Sequence, residues 1–368
     1  MRIAIVGGVF GSTSAYRSAV LWTPETTLVR GLSELGHDVE ALPHSPRMRF
    51  NGFDIVHVHH LSWGAAAAST DRSSTPFVFT LHATTPTHPH TAAFVMSRAD
   101  GVVALWQNQA NAFIEGYRLS GAEVAVIPNG VDPGTFPFTQ PDPPGVGPWE
   151  LLYVGQLIPG KGVELLIRAV ADLRTRHNVR LSLSYHQNMM EDELRLLCDE
   201  LGIGDIVRFL GRTPQEQLGA VYQSSHIVVL PSTDKALYEA LPSVLTEAMF
   251  VGAFPVATNL GGISDQIAGF GIVVPPGDVA ALARGIDDAT QAYPKHLVRA
   301  REMSESAKER FSIQQMVASH ERLYERVVAK RPARPRRHAA ARKPGTLIGG
   351  PSLRLASAIR ARSGRDPG

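Results

Sequence analysis

The chain has 368 residues, 44% of them hydrophobic and 19% charged, enough for two cores and too apolar for a disordered protein. Its formal charge of +2 conceals an asymmetry: residues 330–368 hold 11 Lys/Arg and one acid, leaving 25 basic against 33 acidic residues in the body, so no nucleic-acid partner is expected. A single cysteine, Cys198, excludes an intramolecular disulfide and argues against a thiolate metal site, and no apolar run is long enough to span a bilayer or to serve as a leader, which makes a cytoplasmic location the expectation.

In chain order, residues 2–6 read as an apolar strand ending at Gly7-Gly8. Thr23 then reads as a helix N-cap with Pro24 in the first turn, and Leu28, Leu32 and Leu35 mark the face of that helix up to Gly36. Strands are predicted over 39–42, 54–59, 77–81, 101–105 and 124–127, and apolar strands separated by helices imply a parallel sheet covered on both faces. The proline- and glycine-rich stretch 133–148 reads as a linker. The alternation restarts with strands over 150–154, 179–184, 206–209, 227–230 and 254–257, helices over 164–176 and 191–201, and a final amphipathic helix over 311–329. The expected architecture is two doubly wound α/β domains facing across a cleft: residues 1–140, residues 149–310, a C-terminal helix at 311–330 and a basic tail at 331–368. In such sheets ligands bind beyond the carboxyl ends of the strands.

The segment 230–262, LPSTDKALYEALPSVLTEAMFVGAFPVATNLGG, carries the densest chemistry. Pro242-Ser243 opens a helix that Gly252 stops, with Ser243 placed as its cap. The amides of Ser243, Val244 and Leu245 then head a helix, a setting suited to a diphosphate. Glu239 lies in the preceding loop and Glu247 one turn inside the helix, so two carboxylates can reach different hydroxyls of one extended ligand. Taken alone, the pair reads equally well as a solvated loop charge and a partner of the helix dipole. His57, His59 and His60 lie on or beside a strand whose alternation divides side chains between faces. No metal site is expected there, and His57 or His59 is assigned to lining the cleft or to packing.

Glu239-x7-Glu247, the intervening LPSVLTEAM and the following G-x-PV-x-T-x-x-GG together resemble the donor-domain signature of retaining GT-B-fold glycosyltransferases of family 4. IVGG, GHDV, DIVHVH, TLHATTP, PNGVD, LLYVGQL-x-x-x-KG and FLGR-x-P occur in the order that family shows, so the resemblance covers nearly all of residues 1–330. It implies a GT-B architecture and transfer of a sugar from a nucleotide-diphosphate sugar, with no separate cofactor and no metal. Residue by residue, it implies that Glu239 binds sugar hydroxyls, Glu247 the ribose, and the amides of Ser243–Leu245 the phosphates. It also implies that Lys161 neutralises the leaving group, Gly8 lets backbone approach the diphosphate, and His82 faces the reacting carbon. Lys161, Glu239 and His82 are thus the expected catalytic residues. A sugar-nucleotide epimerase of related fold and a non-catalytic nucleotide-sugar binder remain as alternatives.

Two positions depart from that pattern. The family's usual Arg is here Gln156, for which Arg212 or Arg17 are candidate replacements, and a usual Gly-x-Gly turn is Ser184-Tyr185-His186. Acceptor choice is expected from the loops 10–23 and 62–74. The tail carries a short basic segment, 352–362, which reads either as a contact for anionic lipid at the membrane surface or as a solvated segment without a partner.

Overall fold

A computed structural model describes residues 1–11, 23–45, 48–70, 75–83, 88–117, 119, 122–139, 141–233 and 239–330. Arg17 and the tail 331–368 lie outside them, as do parts of both acceptor loops. The chain forms two compact units, each built on a six-stranded sheet in which every strand pairing is parallel. Among the described residues no helix is long and apolar enough to cross a membrane.

The first sheet has β1 (Arg2–Val6), β2 (Asp38–Leu42), β3 (Ile55–His59), β4 (Phe77–Thr80), β5 (Gly101–Ala104) and β6 (Glu123–Val126), in the order β2-β1-β3-β4-β5-β6. Its helices are α1 (Pro24–Glu34), α2 (Trp63–Thr70), α3 (Pro89–Met96) and α4 (Gln107–Gly116). Thr23 caps α1 as expected, its hydroxyl accepting from the Thr26 amide at 3.3 Å, with Pro24 in the first turn. Leu28 and Leu32 are buried, but Leu35, the cap residue just past the end of the helix at Glu34, is 52% exposed. All of β3 is buried. His57 and His59, being two residues apart, share a face rather than dividing between faces, and their ring centroids lie 4.2 Å apart. His57 is a packing residue, held at 2.6 Å by both the Tyr324 and Thr80 hydroxyls.

The second sheet has β7 (Trp149–Leu157), β8 (Val179–Asn188), β9 (Val207–Gly211), β10 (Ile227–Leu230), β11 (Phe254–Thr258) and β12 (Ile272–Val274), in the order β12-β11-β10-β7-β8-β9. Counted within this domain, that is the 3-2-1-4-5-6 order of a doubly wound fold, which reverses direction between β7 and β10. Its helices are α5 (Val163–Leu173), α6 (Glu191–Glu200), α7 (Gln215–Gln223), α8 (Ser243–Val251), α9 (Ile263–Ile267) and α10 (Val279–Phe311). The 33-residue α10, with Pro294 inside it, went unread in the sequence because an interior proline signals a break.

Part of the expected linker 133–148 packs instead onto this second unit, while Val146 is almost fully exposed. Phe136 is buried edge-on against Tyr222, and the carbonyls of Pro141 and Asp142 accept hydrogen bonds from Tyr293 and His226. The last helix, α11 (Ile313–Ala329), begins two residues later than expected, and from Met316 it belongs to the first unit. Gly31 permits that packing, since a Cβ there would fall 2.3 Å from the Val317 side chain. Glu321 bonds His37 at 2.8 Å, and Arg326 and Lys330 both pair with Glu123.

Candidate active site

The reversal point of the second sheet places two loops side by side, one after β7 (residues 158–162) and one after β10 (from Pro231). They touch through backbone. The Thr233 amide donates to the Gly160 carbonyl at 2.8 Å, and a Cβ on Gly162, whose φ is 68°, would lie 2.0 Å from the Pro231 oxygen. Only glycine fits there, for both conformation and space. Gly261 acts in the same way on the other flank, and Gly262 adds a backbone hydrogen bond. Gly261 (φ 52°) leaves no room for a Cβ beside the Glu239 carbonyl, and the Gly262 amide donates to the Ala240 carbonyl at 2.7 Å. These glycines clamp the backbone on either side of Glu239.

The clamp brings Lys161 and Glu239 into a direct ion pair. Glu239 is 2% exposed, and enclosure of the Lys161 ammonium lowers its pKa to about 8. Desolvation disfavours the charged form of a lysine, so this cation is poised to gain from an arriving anion. A phosphate that takes Lys161 would release the Glu239 carboxylate to accept from hydroxyls.

The start of α8 differs from expectation. Pro242 is the cap, Ser243 is the first helical residue, and its side chain makes no capping bond. The Leu245 amide already donates to the Pro242 carbonyl at 3.3 Å, which leaves Ser243 and Val244 to present amides at the head of the helix. Gln266, buried on α9, steadies this turn by donating to the Pro242 carbonyl at 2.9 Å and the Thr246 hydroxyl at 2.8 Å.

Glu247 is partly exposed, yet desolvation raises its pKa to about 7. The opposing influence is the Tyr222 hydroxyl, which donates to its carboxylate at 2.6 Å. Tyr222 was not singled out from sequence. Leu218 and Tyr222 share a helical face four residues apart, which marks burial, and a buried tyrosine needs a partner for its hydroxyl. Nothing local in the chain names that partner, 25 residues away.

At the departures from the family pattern, no turn follows Ser184. β8 continues as strand through Tyr185 and His186 to Asn188, with register shifts against both neighbours. Gln156 donates to the Gln187 side chain at 2.8 Å, and the Tyr153 hydroxyl donates to the Gln156 carbonyl at 2.7 Å. Gln156 is thus a clasp between β7 and β8 rather than a charge. In the first unit, Gly8 sits exposed in a short helical turn after β1; its backbone is not left-handed, and a Cβ would meet His44 only at ordinary contact distance, 3.4 Å. His82, two residues beyond β4, is partly buried.

Residues 140–310 match the family described as Glycosyl transferases group 1, and residues 45–135 match Glycosyltransferase Family 4. The D-inositol 3-phosphate glycosyltransferase of Corynebacterium jeikeium is 29% identical over 250 residues, 59% of this chain and 58% of that protein. The chain spans 34–59% of the length of the first curated relatives it matches. Among solved structures, sucrose-phosphate synthase from Thermosynechococcus elongatus superposes with a TM-score of 0.72 at 18% identity, covering 89% of this chain and 99% of that one. Anabaena HepE in complex with UDP-glucose gives 0.65 at 21% identity, covering 89% and 100%. The chain thus has GT-B architecture, and its residues 140–310 are similar to the group 1 glycosyltransferases.

Proposed function

We propose that the protein transfers a sugar from a nucleotide-diphosphate sugar to an acceptor hydroxyl, with retention of anomeric configuration and without a metal ion. The observation that carries this reading is the ion pair of half-buried Lys161 with buried Glu239 at the sheet's reversal point, within residues that match the group 1 family. A structural relative crystallised with UDP-glucose supports the donor class.

In this reading Lys161 and the amides of Ser243 and Val244 hold the diphosphate and stabilise the charge that develops as it departs. Glu239 accepts from sugar hydroxyls and Glu247 from the ribose, fixing the anomeric carbon. His82 lines the approach to that carbon. The departing phosphate oxygen takes the proton of the acceptor hydroxyl on the same face, so no side chain serves as nucleophile. Glu239 and Glu247 are therefore anchors, not the acid and base of a hydrolase.

The test is a thermal-shift panel of UDP-, GDP- and ADP-sugars, followed by a donor-hydrolysis assay on those that bind. One donor class is expected to stabilise the protein and to be slowly hydrolysed. Binding without turnover on any acceptor would leave a nucleotide-sugar-binding protein, and no binding by any donor would end the proposal.

A further inference from the structure

The carboxyl end of β8 carries an arrangement that the roles above do not use. Because β8 runs on as strand instead of turning, its last residues lie beside the end of β7: Asn188 pairs with Leu157, and the Met189 amide donates to the Leu157 carbonyl at 2.9 Å. The loop bearing Lys161 leaves β7 immediately after Leu157. On the other side, Ser184 pairs with Gly211 of β9, and its hydroxyl donates to the Thr213 hydroxyl at 2.8 Å, which fixes Arg212 beside the strand end. Tyr185 turns inward, edge-on to Phe209, so alternation puts its neighbour His186 on the exposed side.

Three basic side chains thus gather at one end of the sheet. The charged groups acting on His186 are Arg212, from the segment after β9, and Lys161, from the loop after β7, and both repel its proton. The largest cause of its lowered pKa is local desolvation of the ring, although the residue keeps an exposed surface, and the two cations add to it. Among the described residues, neither His186 nor Arg212 has a hydrogen-bond or ion-pair partner, and Lys161 alone holds an acid, Glu239. Three basic groups that share a single carboxylate are favoured when an anion joins them.

We propose that His186 and Arg212, with Lys161, form a basic rim that binds the diphosphate of the donor. This rests on the function proposed above and names the residues that take over from the charge absent at Gln156. The strand extension and that glutamine are then one feature: the Gln156–Gln187 clasp holds β8 extended, and the extension delivers His186. An anion seated among the three reverses the repulsion on His186, so binding near neutral pH draws a proton onto its ring.

Calorimetric titration with UDP, GDP, ADP and inorganic pyrophosphate tests this. Arg212→Ala and His186→Ala, both at exposed positions, are expected to keep the melting temperature. Each is expected to weaken the preferred nucleoside diphosphate roughly tenfold, the effect of one charge-assisted hydrogen bond, and to weaken pyrophosphate with it. Titrations in buffers of different ionisation heat should show proton uptake that His186→Gln reduces. Unchanged affinities in both variants, or uptake identical in His186→Gln, overturn the inference while Glu247→Gln still weakens the nucleotide. Loss for nucleotides but not for pyrophosphate moves the two residues to the base and also overturns it. If the wild type binds none of the four probes, the proposed function falls together with the inference.

Discussion

The two sheets follow the same plan, each all-parallel with a reversal of strand order, yet their reversal points are built differently. In the second, two loops are locked by glycines that tolerate no side chain, and they enclose the Lys161–Glu239 pair beside a helix start. In the first, the loop after β1 offers Gly8 with room to spare, and the charge nearby is a Glu25–His60 pair at 3.2 Å with His44 bonded to Ser62. Holding a buried ion pair costs desolvation that only an enforced geometry offsets. The second domain meets that requirement with backbone clamps; at Gly8 the first leaves its backbone open. The contrast is what the proposed placement of the anionic donor in the second domain rests on.

The largest effect that tests this contrast is Glu239→Gln. The substitution keeps the size of the side chain and removes its charge, and kcat is expected to fall roughly 100-fold in a donor-hydrolysis or transfer assay. Alanine is a poorer probe, because it leaves the Lys161 ammonium enclosed without its partner and confuses stability with chemistry. A wild-type kcat would remove the distinction between the two reversal points.

Next comes Gly162→Ala. Left-handed backbone alone costs a side chain about 1–3 kcal/mol, and the Pro231 oxygen at 2.0 Å adds to it, so denaturant unfolding should register a clear loss. A stability within error of wild type would mean that the loops are not clamped.

A smaller effect is expected in the pH profile of donor binding. Glu247 accepts hydroxyls best when ionised, so affinity should rise as pH climbs through about 7. It should fall again through about 8 as Lys161 loses its proton, giving a maximum between the two. Tyr222→Phe removes a hydrogen bond that favours the ionised carboxylate, so the rising limb should move to higher pH. An unmoved limb would take Glu247 out of the binding step.

The smallest effect is Gly8→Ala. With ordinary contacts and no left-handed backbone, it should change stability by no more than about 0.5 kcal/mol. A rise in donor KM at unchanged stability would sharpen the role given to that backbone; an unfolding defect would contradict the openness of the first reversal point.

Much of this was legible in the chain. Thr23-Pro24 and Gly252 mark helix ends because capping is a local transaction between a side chain or a backbone angle and the nearest amides and carbonyls. Apolar runs such as IVHVH and IVVL mark buried strands, and their alternation with helices sets a parallel sheet. Glu239 and Glu247 stood out because their spacing brackets a helix start. Other features were misread for equally physical reasons. Proline signals placed a linker at 133–148, but buried Phe136 ties that segment to Tyr222. Strand alternation was applied to His57 and His59 as though they were adjacent, although two residues apart they share a face.

The sequence by itself therefore determined the fold class, the helix boundaries set by caps and glycines, and which loops carry the charged residues. These depend on contacts within a few residues. Tertiary structure alone decided which charges meet. Lys161 and Glu239 are 78 residues apart, Tyr222 and Glu247 25, and Gln156 and Gln187 31, so no local pattern encodes the pairings. They follow from strand order, which lays the loop after β7 against the loop after β10, and from the unplanned length of β8. The two glycines that make the loop approaches possible, Gly162 and Gly261, were visible as letters, but what each one makes room for could be known only from the fold.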